Sequence, residues 1–297
     1  MTNTLWYETR PTYLDVGHTR IPHWRVGAGP DLLFIHGWPL HAATFRELVP
    51  LLADRFTCHV IDLPGCGQSE WSRRSEIGIT AHATSLRRVA DLLGLTRYGI
   101  LAHDSGAVIA RLLAADDARV AALVMGNSEI PGHRPKQVEL LVTLTRLGLA
   151  PLFAAPILGI GALRRSALGY KGCFHSIEHL EGEFLRLFIE PLRKDRRAAL
   201  GQQRLLHGFD WSLIDGLAQV HARITAPVQL IWGAEDPYFP ISKARAMLEQ
   251  FAGAAELVAL SPGKLFVHEE FPARFAAAAA PFLERSLGQS QALRATA

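Results

Sequence analysis

The amino-acid sequence predicts an α/β fold, with a mostly parallel twisted sheet, helices on both faces and an inserted helical cap. Two observations carry this prediction. Short apolar runs alternate with stretches of helical spacing, which is typical of repeated βαβ units. Several of these runs are apolar throughout, as expected for strands covered on both faces. A third observation, a break in the alternation from residue 128 to 223, indicates a helical insertion.

The individual elements follow from apolar patterning, turn residues and helix-end signals. A first hairpin turns at Gly17, and Gly94 is a plausible helix cap. We expect strands at 12–16, 21–26, 32–35, 56–61, 98–102, 120–125, 228–232 and 255–260. We expect helices at 42–53, 80–93, 106–115, 241–251 and 269–287.

This pattern predicts one sheet domain that is discontinuous in sequence, since the βα alternation stops and later resumes. Residues 1–127 and 224–297 form the core domain, and residues 128–223 form the helical cap domain. The chain of 297 residues has 31 basic and 28 acidic residues, a net charge of +3. This balance gives no reason to expect nucleic acid as a partner, and it suits a small-molecule substrate.

The three cysteines form no C-x-x-C pair, which argues against a disulfide framework and a structural zinc site. The N-terminal residues lack a basic stretch followed by an apolar one, so we expect a cytoplasmic protein. Residues 147–163 carry no charge, but Pro151 and Pro156 interrupt them. We therefore expect a buried or pocket-lining segment and no membrane span. A homodimer is compatible with these features.

The most informative stretch is Leu101-Ala-His-Asp-Ser-Gly-Ala107, where a strand becomes a helix within a few residues. Such a sharp turn projects its apex residue above the sheet and needs small residues two positions before and after it. Centring the turn on Asp104 places Ala102 and Gly106 at those positions. Asp104 is therefore the predicted nucleophile. Two alternatives stay open, in which Ser105 is the nucleophile or Asp104 only caps the following helix.

A carboxylate nucleophile needs donors for developing charge, a base for water and an acid to orient that base. The backbone N–H groups of Ser105 and Trp38 are the expected donors. Asp236 and Glu235 both follow a strand end and qualify as the acid. His268 is the expected base, because it is the histidine in the loop after the last strand.

These residues resemble the α/β-hydrolase superfamily, and above all its aspartate-nucleophile branch of epoxide hydrolases and haloalkane dehalogenases. The resemblance covers nearly the whole chain and implies the α/β-hydrolase fold. It favours Asp236 over Glu235 through the GxxD spacing from Gly233. It rests on HGWP at 36–39, DLPGCGQS at 62–69, AHDSGA at 102–107, WGAEDPYFP at 232–240 and HEE at 268–270.

The sequence also departs from this branch in ways that bear on substrate. Ser105 stands where haloalkane dehalogenases usually carry a tryptophan, and Ser105 and Val108 stand where fluoroacetate dehalogenases carry arginines. The resemblance implies a tyrosine pair, or a tyrosine and a histidine, over an epoxide oxygen. The insertion offers one tyrosine for that role, Tyr170, and a further set of donors consisting of His175, His179, His207 and Trp211.

The resemblance thus implies a hydrolase that forms an alkyl ester on Asp104, which His268-activated water then cleaves, with Asp236 stabilising the imidazolium. An epoxide is slightly favoured over a haloalkane, and neither metal nor organic cofactor is required. An ester or lactone hydrolase that uses Ser105 is the alternative within the same fold. A non-catalytic small-molecule binding protein is the alternative from another class.

Overall fold

Eight strands form one open sheet in the computed structural model, which describes the backbone of residues 5–295 and the side chains of residues 5–288. The spatial order is β1-β2-β4-β3-β5-β6-β7-β8, with β1 and β2 antiparallel to their neighbours and β3 to β8 parallel. The strands are β1 Thr12–Asp15, β2 Arg20–Val26, β3 Asp31–Ile35, β4 Thr57–Ile61, β5 Tyr98–Ala102, β6 Val120–Met125, β7 Val228–Gly233 and β8 Ala255–Leu260.

The carboxyl ends of the central strands lie in register and define one edge of the sheet. Ile35 of β3 pairs with Ala102 of β5, Ala102 pairs with Met125 of β6, and Met125 pairs with Leu230 of β7. The loops after these four strands therefore emerge next to one another. In an open α/β sheet, ligands bind in the crevice outside this edge.

Twelve α-helices surround the sheet and fill the insertion. Those of the core are α1 Ile79–Leu92, α2 Ser105–Asp116, α10 Ile241–Met247, α11 Val267–Glu270 and α12 Pro272–Ala295. Those between β6 and β7 are α3 Lys136–Arg146, α4 Ala150–Gly159, α5 Gly161–Arg164, α6 Glu190–Lys194, α7 Arg196–His207, α8 Trp211–Asp215 and α9 Leu217–His221. Every predicted strand is present, and this stretch between β6 and β7 holds helices, as the sequence predicts.

Two predicted helices are wrong in form. Residues 42–53 form two short 3-10 turns, Ala42–Phe45 and Val49–Leu51, the second of which contains Pro50. The predicted helix 269–287 is two helices, since the chain leaves helical geometry at Phe271. The following residue is Pro272, and a residue that precedes proline is sterically biased away from helical geometry.

The uncharged segment 147–163 is not buried, which corrects the prediction for it. Leu147 is 65% exposed, Leu152 71% and Phe153 52%, because α4 lies on the outside of the insertion. Within the described residues, no helix combines the length and the apolar character needed to cross a membrane.

The insertion is held against the sheet edge by hydrogen bonds that join it to the core. The Phe266 N–H donates to the Cys173 carbonyl at 2.9 Å. The indole N–H of Trp38 donates to the Gln202 carbonyl at 3.2 Å. These bonds fix the insertion above the loops that follow β3 and β8.

Buried neutral histidines make the fold sensitive to acid, and this predicts a pH dependence of stability. His36 is fully buried, and its Nε2 accepts the Leu63 N–H at 3.0 Å. Burial lowers the pKa of His36 and of His82 to about 4. The unfolded chain therefore binds more protons than the fold between roughly pH 6.5 and 4. The free energy of unfolding should fall as pH falls through this window.

Urea unfolding at several pH values between 4 and 7.5 measures this effect. His82 donates from Nε2 to the Pro64 carbonyl, and His82→Gln keeps a donor for that carbonyl but removes the titrating ring. We expect a smaller loss of stability on acidification in this variant than in the parent chain. An equal loss in both would contradict the assignment of His82 as a contributor.

Candidate active site

The turn between β5 and α2 is sharp, and its backbone is strained. Only His103 and Asp104 separate the strand from the helix. Asp104 has φ 53° and ψ −136°, the only positive φ outside glycine in the described residues. Such a conformation costs about 1–3 kcal/mol and persists only where surrounding contacts enforce it. The predicted apex at Asp104 is therefore confirmed.

Close backbone contacts enforce this turn. A Cβ atom on Gly106 would overlap the His36 carbonyl oxygen, so the start of α2 lies directly against the loop after β3. A Cβ atom on Gly37 would lie 2.6 Å from the Cβ of Asp104. Both positions require glycine, and both bring the two loops together at the carboxylate.

The Asp104 carboxylate receives backbone N–H donors from both sides. The Trp38 N–H lies 3.0 Å from Asp104 Oδ2 and 3.0 Å from Ser105 Oγ. The Ser105 N–H also bonds to the carboxylate. The two donors predicted from the sequence thus converge on one group. No histidine among the described residues hydrogen-bonds to Ser105 Oγ, so the serine has no base to activate it.

Asp236 is a second buried carboxylate, held by amide donors. Its Oδ1 accepts the N–H groups of Tyr238 at 2.7 Å and Phe239 at 3.1 Å, and its Oδ2 accepts Asn127 Nδ2 at 2.6 Å. Burial raises the pKa of Asp236 to about 7, although these hydrogen bonds lower it. Glu235 instead lies on the surface, 3.2 Å from His175 Nδ1. The buried acid at this strand end is Asp236.

Glu129 is a third buried carboxyl, which the sequence analysis missed. It is 4% exposed, and the Ser128 hydroxyl lies between its Oε2, at 3.0 Å, and the Asp104 carbonyl oxygen, at 2.9 Å. Burial is the first cause that raises the pKa of Asp104, and the charge of Glu129 is the second. Glu129 follows the end of β6, so the strand-end argument used for Asp236 could have found it.

His268 does not lie where the sequence analysis expected it. The ring is 1% exposed and packs against His103, with ring centroids 4.1 Å apart. Burial, His103 and Arg46 lower the pKa of His268 well below its usual value, and neither Asp104 nor Asp236 contributes. The expected pairing of His268 with Asp236 is therefore wrong. The histidine belongs to the short helix α11 and not to the loop before it.

The partners of His268 form a separate buried network. The Thr44 hydroxyl donates its one proton to Glu269 Oε1 at 2.7 Å. Its oxygen therefore accepts the proton of His268 Nε2 at 2.8 Å. Glu269 Oε2 accepts Arg46 Nη1 at 2.7 Å, and Arg46 Nε donates to Glu183 Oε2 at 2.6 Å. Glu183 lies in the insertion. This network therefore joins the core to the insertion.

The predicted donors of the insertion divide into Tyr170, which lies near Cys173 and Tyr238, and several that bond elsewhere. His175 bonds to Glu235, His179 Nε2 donates to the Glu269 carbonyl, and His207 is exposed. Trp211 packs on Phe209, and its ring lies 5.3 Å from the Arg134 guanidinium. These contacts do not support a halide-binding role. Tyr170 is half-buried, and after burial the neighbouring Cys173 and Tyr238 raise its pKa.

Tyr238 and Cys173 complete the cluster around the carboxylates, and the sequence analysis assigned neither. Tyr238 hydrogen-bonds to the Cys173 thiol. Burial raises the pKa of Cys173, and the charges of Asp236 and Asp104 raise it further. The charge of Asp236 also raises the pKa of Tyr238, so Cys173 and Tyr238 lie near the aspartates, and Tyr170 lies near Cys173 and Tyr238.

A cleft of about 860 Å³ is lined by residues of both the core and the insertion. Pro39, His41, Asp62, Phe188 and Gln202 are among its lining residues, whereas Asp104 is not. The Trp38 indole, bonded to the Gln202 carbonyl, stands between the cleft and Asp104. Within the described residues, no group of three or more histidine, cysteine or acidic side chains is arranged to hold a metal ion.

Comparisons with known proteins identify the family to which the fold belongs. A family model described as the alpha/beta hydrolase fold matches residues 30–272. The chain is 27% identical to haloalkane dehalogenase 2 of Mycobacterium tuberculosis, over 92% of this chain and 94% of that protein. It is 26% identical to a pimeloyl-[acyl-carrier protein] methyl ester esterase of Chromobacterium violaceum, over 82% and 92% of the two chains.

Two solved structures share the fold. The epoxide hydrolase CorEH superposes with a TM-score of 0.76 and 23% identity, over 93% of this chain and 98% of that one. A loop variant of the haloalkane dehalogenase DbeA from Bradyrhizobium elkanii also gives 0.76, at 20% identity, over 95% and 98%.

The buried Arg46–Glu269 pair predicts a large effect on stability. The two side chains are 6% and 1% exposed, so Arg46→Met leaves the Glu269 charge buried without its partner. We expect a loss of about 3–5 kcal/mol in the free energy of unfolding. The matched control is Arg20→Met, which breaks an exposed pair with Glu70 and should cost less than about 1 kcal/mol. Similar small losses in both variants would refute the structural role of the network.

The raised pKa of Asp104 predicts that the nucleophile destabilises the fold at higher pH. When folding raises the pKa of a carboxyl, the free energy of unfolding falls as the pH rises above the pKa of that group in the unfolded chain, which is about 3.8. Asp104→Asn removes the charge, so its stability gain over the parent chain should grow between pH 5 and pH 8. Thermal unfolding at the two values measures this. Ser105→Ala is the control, and its difference from the parent should not change with pH.

Proposed function

Because the chain belongs to the alpha/beta hydrolase fold family, we propose that it is a hydrolase that opens small epoxides through an ester on Asp104. The observation that carries this proposal is the Asp104 carboxylate at the apex of a strained turn, with the Trp38 and Ser105 N–H groups directed at it. Residues 128–223 act as a cap over the core formed by residues 1–127 and 224–297.

In the first step, an oxygen of ionised Asp104 attacks a ring carbon of the epoxide and forms the ester bond. The carbon–oxygen bond of the ring breaks, and its oxygen leaves with the electron pair and takes a proton. Tyr238 and Tyr170 supply that proton, since Tyr238 lies near Asp236 and Tyr170 lies near Tyr238. Burial raises the pKa of both phenols, so they stay protonated until the developing alkoxide accepts the proton.

In the second step, water attacks the ester carbonyl and releases the diol. The negative charge that forms on the carbonyl oxygen is stabilised by the Trp38 and Ser105 N–H groups. Asp236 accepts one proton of the water and passes it to the departing diol oxygen, because its pKa of about 7 leaves a large ionised fraction at neutral pH. The second proton of the water returns to the phenolate left by the first step. His268 has no part in this proposal, since its ring packs against His103, hydrogen-bonds to Thr44 and contacts neither aspartate.

The surroundings of the two tryptophans support an epoxide over a haloalkane. A departing halide needs N–H donors, and indole groups are a common choice in the resembling dehalogenases. The Trp38 indole donates to the Gln202 carbonyl, and Trp211 packs against Phe209 and Arg134. The phenols of Tyr170 and Tyr238 suit an epoxide oxygen, which must be protonated as the ring opens.

A single turnover in ¹⁸O-labelled water tests the proposal, with enzyme in excess over a small epoxide. The first diol should contain no label, because its new oxygen comes from Asp104, and the label should appear in the Asp104 peptide. Asp104→Asn should abolish diol formation. Label in the first diol, or diol formation by Asp104→Asn, would rule out the ester.

The phenol donors are tested by the same assay with two further variants. Tyr170→Phe and Tyr238→Phe should each slow ring opening about 10–100-fold, because each removes a proton donor. Tyr13→Phe is the control, since that hydroxyl bonds to the Gln68 carbonyl on the exposed side of the hairpin. Halide release from bromoalkanes, measured in parallel, should stay below diol formation.

A further inference from the structure

We propose that the ester on Asp104 accumulates, so that the protein captures electrophilic alkyl groups covalently and releases them only slowly. This inference rests on the proposed function, because it requires Asp104 to be the nucleophile. It adds that the two half-reactions proceed at very different rates. Its basis is the way in which the structure holds Asp236 and the histidines.

The first argument concerns Asp236, the acid that would orient a base. Three amide donors occupy its oxygens, namely Asn127 Nδ2 and the N–H groups of Tyr238 and Phe239. Asn127 is itself fixed, because its Oδ1 accepts the Gly233 N–H at 2.7 Å. Asp236 is thus held by amides where the sequence prediction expected an imidazole.

The second argument concerns the histidines, all thirteen of which lie within the described residues 5–288. In that part of the chain, none hydrogen-bonds to Asp104 or Asp236, and none shifts the pKa of either group. His103 precedes the nucleophile, but its Nε2 donates to the Leu265 carbonyl at 2.7 Å. His133 bonds to the Tyr238 carbonyl and to Lys243 Nζ. His268 is fixed by Thr44.

These arrangements affect the two half-reactions unequally. Ester formation needs an ionised Asp104 and a proton for the leaving oxygen, and the cluster supplies both. Ester hydrolysis needs a base that takes a proton from water, which typically contributes 10²–10⁴-fold to the rate. Asp236 and Glu129 are the carboxylates left for this task, but amide donors engage the oxygens of Asp236, and the Ser128 hydroxyl bonds to Glu129 Oε2. We therefore expect hydrolysis of the ester to be at least about 100-fold slower than it would be with a positioned base, and slower than formation of the ester.

The electrostatics of the site favour the ester as well. Burial and the Glu129 charge oppose the ionised form of Asp104, and the ester carries no charge. Because only the ionised form attacks, capture should become faster as pH rises. The class of substrate is the same as above, namely small electrophiles with a reactive sp³ carbon, and no oxidant or cofactor enters the balance.

Intact-mass spectrometry of the full chain tests the inference. The protein is mixed with styrene oxide and, in parallel, with a panel of other small epoxides and 1-bromoalkanes, then freed of excess reagent and followed for hours. We expect one equivalent of adduct on the peptide that contains Asp104, a rise of its formation rate with pH, and release by hydroxylamine. Asp104→Asn should give no adduct.

His268→Gln decides between this inference and a histidine-dependent hydrolysis. We expect the adduct to decay at the same rate in this variant and in the parent chain. Rapid multiple turnover by the parent, with adduct accumulating only in His268→Gln, would overturn the inference and leave the proposed function standing. The parent chain alone also decides, should the variant not fold, because rapid turnover without adduct contradicts the inference. Neither adduct nor diol with any reagent of the panel would overturn both.

Discussion

The strained conformation of Asp104 is the constraint on which the site depends. A non-glycine residue with φ 53° is tolerated only where neighbouring backbone leaves no alternative. Here Gly106 lies against the His36 carbonyl, and Asp104 is held from the other side by its N–H bond to the Asn127 carbonyl at 2.8 Å. The register of β3, β5 and β6 brings these loops together. The strain thus couples the nucleophile to the three central strands of the sheet.

Much of this architecture could be predicted because its causes are local. A strand that turns into a helix within a few residues needs small neighbours, and Ala102 and Gly106 meet that need in one register only. Apolar runs covered on both faces likewise identify β3, β5 and β6 from sequence. The predictions were wrong where contacts between residues distant in sequence determine the structure. The apolar segment 147–163 could have been buried or exposed, and only the position of α4 on the outer side of the insertion settles this.

The site was predicted in part for a related reason. Strand ends mark one edge of the sheet, so Asp104 and Asp236 could be located from the order of strands alone. The order of the strands does not determine the direction of a side chain that follows the last strand. His268 lies on α11, where its ring turns towards Thr44, and the loop residue Lys264 is the one whose charge acts on Asp236. Tyr238 and Cys173 were missed because their approach depends on how the insertion packs.

The two buried networks explain why the nucleophile and the histidine behave as separate units. Around Asp104, the carboxyls of Glu129 and Asp236 add negative charge to a buried site, and both raise the pKa of the nucleophile after burial itself. Around His268, the Arg46 guanidinium neutralises Glu269 and opposes protonation of the ring. A protonated imidazole beside Asp104 would offset the negative charge of the first network. The second network instead keeps the His268 ring neutral and holds it away from Asp104. Esterification removes the charge of the nucleophile without any such partner, whereas hydrolysis must restore that charge among two other acids. The electrostatics that oppose the ionised form of Asp104 would therefore favour the proposed ester, which carries no charge.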